Sequence, residues 1–297
     1  MRVFVTGATG FVGSAVVKEL IGAGHQVLGL VRSDVGAASV AAAGAAVHRG
    51  SLEDVDSLAA GARACDGVIH TGFNHDFSKF AANCELDKRA IEALGTAIAG
   101  SDRPLIVTSG TGLLTPGQLV TEDTVAPANH PTIPRVSEQT AFAMLSSGVR
   151  ASVVRLPPST HGEGDHGFVP RVIGFARSKG VSAYIGDGLN TWPAVHRLDA
   201  ARVYRLALEK GTAGARYHAI AEEGVPFREI ADAIGRGLKL PVVGKTPEQA
   251  AAHFEWFAHF AAINNVASSR KTREQLGWQP KQPGLIDDIE QAGYFAS

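Results

Sequence analysis

The chain has 297 residues, 45% of them hydrophobic and 19% charged, with a formal net charge of −1. This is an ordinary globular composition with enough chain for a large core. Near-neutral charge argues against nucleic acid or an anionic membrane surface as a partner, and no apolar run is long enough to span a bilayer. The first strand begins within two residues of Met1, which leaves no room for a signal peptide. A cytoplasmic location is therefore expected, with Cys65 and Cys84, the only cysteines, as reduced thiols. The histidines have no metal-ligand spacing, so no metal is expected.

Arg2–Val5 reads as a strand, and Thr6-Gly7-Ala8-Thr9-Gly10-Phe11-Val12-Gly13 follows it directly. Val12, Ala15, Val16, Leu20 and Ala23 then recur at helical spacing, predicting a helix over Phe11–Ala23. Strand, glycine turn and helix in this order form a dinucleotide-binding fingerprint. Glycines let the backbone approach a pyrophosphate, and the helix N-terminus offers it free N–H groups. Gln26–Val31 is a second strand, ending at Arg32-Ser33. An arginine there suits a ribose 2′-phosphate, where NAD-specific folds place an acid. NADP(H) is thus the expected cofactor, with NAD(H) possible because Asp34 lies close by.

The rhythm continues with the alanine-rich Val35–Ala43, a strand at Ala45–His48, and a helix over Leu52–Ala64 opened by Ser51. A strand at Gly67–His70, a helix over Glu85–Ala99 and a strand at Pro104–Val107 follow. Such alternation predicts an α/β, Rossmann-type doubly wound parallel sheet, with ligands beyond the carboxyl ends of its strands. Those ends supply the candidate cofactor residues Gly7, Thr9, Gly10, Phe11, Val12, Gly13, Arg32, Ser33, Ser51, Leu52, Thr71, Gly72, Phe73 and Thr108. A proline-rich irregular segment runs from Leu113 to Pro134, a helix is expected at Ser137–Ser147 and a strand at Ala151–Leu156. Pro157-Pro158-Ser159-Thr160-His161-Gly162 turns away from that strand and offers Pro157 and Ser159 to the nicotinamide end. Helices at Asp199–Lys210, Phe227–Leu238 and Pro247–Ala261 build a small C-terminal substrate lobe. The expected division is a dinucleotide-binding domain over 1–155, with parts of 190–220 interleaved, and a lobe over 156–297.

The chain resembles the extended, atypical short-chain dehydrogenase/reductase superfamily, the NAD-dependent epimerase/dehydratase group. The resemblance rests on the glycine motif, Asp66-Gly67-Val68-Ile69-His70, Arg155-Leu156-Pro157-Pro158-Ser159-Thr160-His161-Gly162, Trp192–Ala201 and Leu276-Gly277-Trp278-Gln279-Pro280. It implies a Tyr-x-x-x-Lys pair on the helix after the fifth strand, with a Ser or Thr at that strand's end to bind the substrate oxygen. Ser109 stands in the Ser/Thr position, with Thr111 nearby. Tyr184, Tyr204, Tyr217 and Tyr294 are the only tyrosines, and none has a lysine four residues on. His75, His130 and His161 are the substitute proton carriers to weigh, since histidine changes charge near neutral pH. Arg135 is a fork for a carbonyl or carboxylate. For each of these a surface or structural role is the plainer reading, and His196 and Asp199 are read as structural. The aromatics Phe254, Trp256, Phe257 and Phe260 are read chiefly as lobe packing.

The expected function is an NADP(H)-dependent oxidoreductase acting on a small or medium carbonyl/alcohol pair, with that small-molecule substrate as its partner and a homodimer as an open alternative to a single copy. A non-catalytic NADP(H)-binding redox regulator, or an epimerase/dehydratase, are the alternatives.

Overall fold

A computed structural model describes every residue except 115–116, 128–133, 292 and 297, together with the side chains of Phe77 and Leu113. His130 lies outside the described residues. Seven strands, β1 (Arg2–Thr6), β2 (Gln26–Val31), β3 (Ala46–Arg49), β4 (Gly67–His70), β5 (Pro104–Gly110), β6 (Arg150–Leu156) and β7 (Arg216–His218), form the main sheet. Their order is β7-β6-β5-β4-β1-β2-β3, and every pairing is parallel. The strand order reverses at β1 and β4, where doubly wound sheets open a crevice for ligands.

Alternation along each strand separates two cores. Val3, Val5, Ile69, Ile106 and Val154 pack with α1 (Phe11–Gly22), α2 (Asp34–Ala42) and α7 (Arg197–Lys210). Phe4, Val68, Leu105, Val107 and Val153 face α3 (Val55–Arg63), α4 (Phe80–Ala97) and α5 (Ser137–Ala143). A third core gathers Trp192, Phe227, Phe254 and Phe257 with α6 (Phe168–Lys179) and the helix Phe227–Leu238. There Thr191–His196 pairs antiparallel with Glu222–Pro226 and parallel with Ser159–His161. Phe254 and Phe257 are fully buried packing residues, whereas Trp256 is half exposed.

Four expectations about elements need correction. The α3 helix starts at Val55 rather than Leu52: Asp54, not Ser51, is its N-cap, with a carboxylate that accepts the Ser57 N–H at 2.9 Å. The α4 helix begins at Phe80, more than a turn before the expected start at Glu85. The segment after Pro158 does not simply turn away, because Ser159–His161 adds to the lobe sheet. The Pro247–Ala261 helix is broken at Glu255, which adopts φ 51° between Pro247–Phe254 and the short turns that follow. Helical spacing of apolar residues persists across that break because both sides pack on one core.

Candidate active site

The loop between β1 and α1 is built for close approach. Gly7 has φ 68°, and a Cβ there would lie 2.7 Å from the Gly72 nitrogen. A Cβ on Gly13 would lie 2.0 Å from the Gly7 carbonyl oxygen. Only hydrogen fits at these positions, so the loop folds tightly against the Thr71-Gly72 turn after β4. Gly10 caps α1 without a side chain, which leaves the first amides of the helix, at Phe11, Val12 and Gly13, directed at a ligand. This cradle fits a dinucleotide pyrophosphate.

At the end of β2, Arg32 is exposed and has no hydrogen bond or ion pair among the described residues. Asp34 is engaged by Arg49, at the end of the neighbouring strand, at 2.5 Å. Ser33 serves as the N-cap of α2, accepting the Gly36 N–H at 3.1 Å. Ser51 bonds Glu53 and helps hold its carboxyl below the usual range, while Leu52 packs beside Gly72. Thr9 is exposed at the loop surface. The Thr71 hydroxyl donates to the Thr6 carbonyl at 2.8 Å, and the Thr108 hydroxyl to the His70 carbonyl at 2.8 Å. Both hydroxyl protons are thereby used within the sheet, so these side chains have only acceptor lone pairs left to offer a ligand. Tyr204 completes that arrangement from α7, its OH 2.8 Å from the Thr108 hydroxyl, and burial pushes its phenol well above the ordinary value. It is a protonated structural donor.

On the other face of β5 lies Ser109. Since Thr108 points to α7, alternation sends Ser109 toward α4 and α5. The residue is 5% exposed, and its hydroxyl has no partner among the described residues. Arg135, just before α5, reaches the same strand end. Its NH2 donates to the Thr108 carbonyl at 3.2 Å, its Nε to the Ser137 hydroxyl at 2.8 Å, and its guanidinium lies 4.4 Å over the Phe73 ring. Phe73 in turn packs edge-on against His75, with centroids 5.2 Å apart. Atoms crowding the His75 ring, and then the Arg135, His166 and Arg171 charges, hold its pKa below the ordinary value, although the residue keeps an exposed edge. Ser109, Arg135, Phe73 and His75 are therefore gathered at the ends of β4 and β5.

His161 goes elsewhere. It is fully buried, with Nδ1 2.7 Å from Asp288 and its ring against His196, and shares no partner with Ser109 or Arg135. Its Nε2, the Ser159 hydroxyl and the Thr111 hydroxyl are buried without a partner among the described residues. Pro157 follows the end of β6, beside that of β5. His196 caps α7 through the Leu198 N–H, and Asp199 accepts from the Lys281 and Gln282 amides, so both are structural.

What sequence reasoning missed is the wiring beneath Arg135. Thr6 bonds His70 Nδ1 at 2.7 Å, His70 Nε2 meets Asp87 at 3.0 Å, and Ser137 donates to the second Asp87 oxygen. Burial alone would raise the Asp87 carboxyl, but His70, Arg135 and Ser137 outweigh it and hold it below the usual range. A charged residue in the middle of an expected helix was the only signal available. A groove of about 480 Å³ between α4 and α5 is lined by Glu85, Lys88, Glu92, Gln139 and Met144, and by none of Ser109, Arg135 or the glycine loop.

Residues 3–221 match the model of the NAD dependent epimerase/dehydratase family. The chain belongs to this family. A Schizosaccharomyces pombe protein, C2A9.02, is 52% identical over 297 residues, covering 99% of this chain and 100% of the relative. The sterol-4-alpha-carboxylate 3-dehydrogenase, decarboxylating, of Dictyostelium discoideum is 30% identical over 77% of this chain and 74% of its own. In fold, DesIV, a dTDP-glucose 4,6-dehydratase from Streptomyces venezuelae solved with NAD and TYD bound, superposes with a TM-score of 0.79 at 20% identity, over 99% of this chain and 96% of that one. An epimerase/dehydratase family fold with dehydrogenase relatives is that of an NAD(P)-dependent enzyme. No helix among the described residues is long and apolar enough to cross a membrane.

Proposed function

We propose that this family member is an NADP(H)-dependent oxidoreductase that interconverts a carbonyl and an alcohol. The observation that carries the reading is the buried Ser109 hydroxyl, without a partner among the described residues, at the carboxyl end of β5 beside a guanidinium fixed by Thr108, Ser137 and Phe73. The glycine loop and the N-terminus of α1 hold the pyrophosphate, Arg32 meets the ribose 2′-phosphate, and Pro157 and Ser159 border the nicotinamide. The dinucleotide, when bound, supplies or takes the hydride. Ser109 donates a hydrogen bond to the substrate oxygen as charge develops on it. His75 exchanges the accompanying proton with solvent. Its neutral form prevails at pH 7 and accepts the alcohol proton in oxidation. In reduction one carbonyl, one hydride and one proton give one alcohol. The dehydrogenase relative supports hydride chemistry as the net reaction.

The test is titration of the protein with NADPH and NADH, followed by cofactor oxidation against a carbonyl panel. NADPH should bind at least about tenfold tighter than NADH, Arg32→Glu should reverse that preference, and Ser109→Ala should lower kcat about 100-fold. Tight NADPH binding with no turnover would replace this reading by that of a non-catalytic regulator. Binding of neither nucleotide would end it.

A further inference from the structure

The buried and half-buried arginines of this protein usually have their charge answered. Arg155 and Arg216 share Glu138, Arg202 binds Asp199, and Arg205 binds Glu19. Arg103 and Arg273 direct several N–H groups at backbone carbonyls. Around the crevice the pattern changes. Among the described residues Arg135 touches no carboxylate: of its five N–H donors one goes to Ser137 and one to Thr108, and the other three have no described partner. Phe73 covers one face of the guanidinium and removes water from it. Arg171 of α6 approaches from the lobe side, its guanidinium 5.2 Å over Trp256, and also lacks a carboxylate partner among the described residues. Its charge and that of Arg135 are both felt at His75.

Nearby acids do not answer these charges directly. Asp87 is committed to His70 and to Ser137, which stands between it and Arg135. Asp165 accepts from the Gly167 amide and the Tyr294 hydroxyl, and burial raises its pKa.

We propose that the substrate carries a carboxylate, held by the N–H groups of Arg135 that have no partner among the described residues, with Arg171 adding positive charge at longer range, while Ser109 holds the reacting oxygen. This rests on the oxidoreductase reading and narrows its substrate class. Arg135 is anchored on the residue next to Ser109, about 3.8 Å along the chain, so acid and carbonyl belong within about two or three carbons of each other. The planar guanidinium fork fits a carboxylate in two parallel bonds. The class is therefore 2- or 3-oxo acids and the matching hydroxy acids.

The experiment compares acids with their methyl esters, which keep the reacting carbon and lose the charge. Lactate, 3-hydroxybutyrate and 3-hydroxyhexanoate are oxidised with NADP⁺ beside their esters, and acetoacetate and methyl acetoacetate are titrated against the NADP⁺ complex by tryptophan quenching. An acid-to-ester ratio of kcat/KM, or of affinity, of at least about 30 is expected, as for a hydrogen-bonded charge. Arg135→Gln should bring the ratio to within about threefold of one, Arg135→Lys should leave an intermediate value, and Arg171→Gln should lower it by less. If Arg135→Gln does not fold, as judged by circular dichroism, the lysine and Arg171 variants decide. Esters handled as well as acids, or a ratio that Arg135 and Arg171 do not change, overturns this inference and leaves the oxidoreductase reading standing. NADPH binding with no turnover of any acid, ester or neutral ketone overturns both.

Discussion

The Arg155–Glu138 pair ties the site-bearing helix to the sheet, and its removal has a calculable cost. Glu138 is the second residue of α5, and both partners are buried, at 0% and 3% side-chain exposure. The five donors of Arg155 are all used: Nε and NH2 on Glu138 at 2.9 and 2.8 Å, NH2 again on the Thr124 carbonyl, and NH1 toward the Thr121 carbonyl and His218 Nε2. Arg155→Leu keeps the packing volume but leaves Glu138 with only Arg216, and strands two carbonyls and one ring nitrogen. Breaking a buried pair in this way costs about 3–5 kcal/mol, or roughly 6–20 °C in melting temperature. Arg216→Leu removes the more exposed cation and should cost about 1 kcal/mol or less. Urea unfolding followed by tryptophan fluorescence reads the difference, since Trp192 and Trp278 are fully buried. A loss below about 1 kcal/mol for Arg155→Leu, or one no larger than that for Arg216→Leu, refutes the reasoning. Surviving folded variant should also lose kcat/KM, because α5 carries Ser137, which holds Arg135.

His218 donates Nδ1–H to the Ser268 carbonyl and accepts from Arg155 at Nε2, so it is held neutral, and burial pushes its pKa down to about 3. A depressed histidine withholds a proton that the unfolded chain accepts, so stability should fall as pH drops from 6.5 toward 3, by about 1.4 kcal/mol per pH unit. His218→Gln should flatten that slope; an unchanged slope contradicts the assignment, although His253, lowered to about 4, adds a smaller share in the same window. Gly13→Ala places a methyl group against the Gly7 carbonyl and should weaken NADPH binding at least about tenfold in a fluorescence titration. Cys84 is buried with its thiol pushed up to about 11, so at pH 8 only about one in a thousand is thiolate and alkylation should await denaturant. Rapid labelling of the native protein would contradict that burial.

Within the sequence alone, periodicity and glycine spacing pointed to the doubly wound sheet and the nucleotide cradle at Gly7–Gly13, and the family was legible as a resemblance carried by several motifs in order along the chain. These are local properties: alternating apolar residues must bury one or both faces, and only glycine tolerates the Gly7 conformation and the Gly13 contact. Ser109 was legible as the end of a strand. The rest depended on which strands become neighbours. Placing β4 beside β5, and α5 across them, brings Phe73, Ser109 and Arg135 together from three separate segments, while sending His161, equally plausible by residue type, to Asp288 in the lobe. The His70–Asp87–Ser137 wiring was invisible for the same reason. Its members lie up to 67 positions apart, and a charged residue in mid-helix reads as solvated until tertiary packing removes the water.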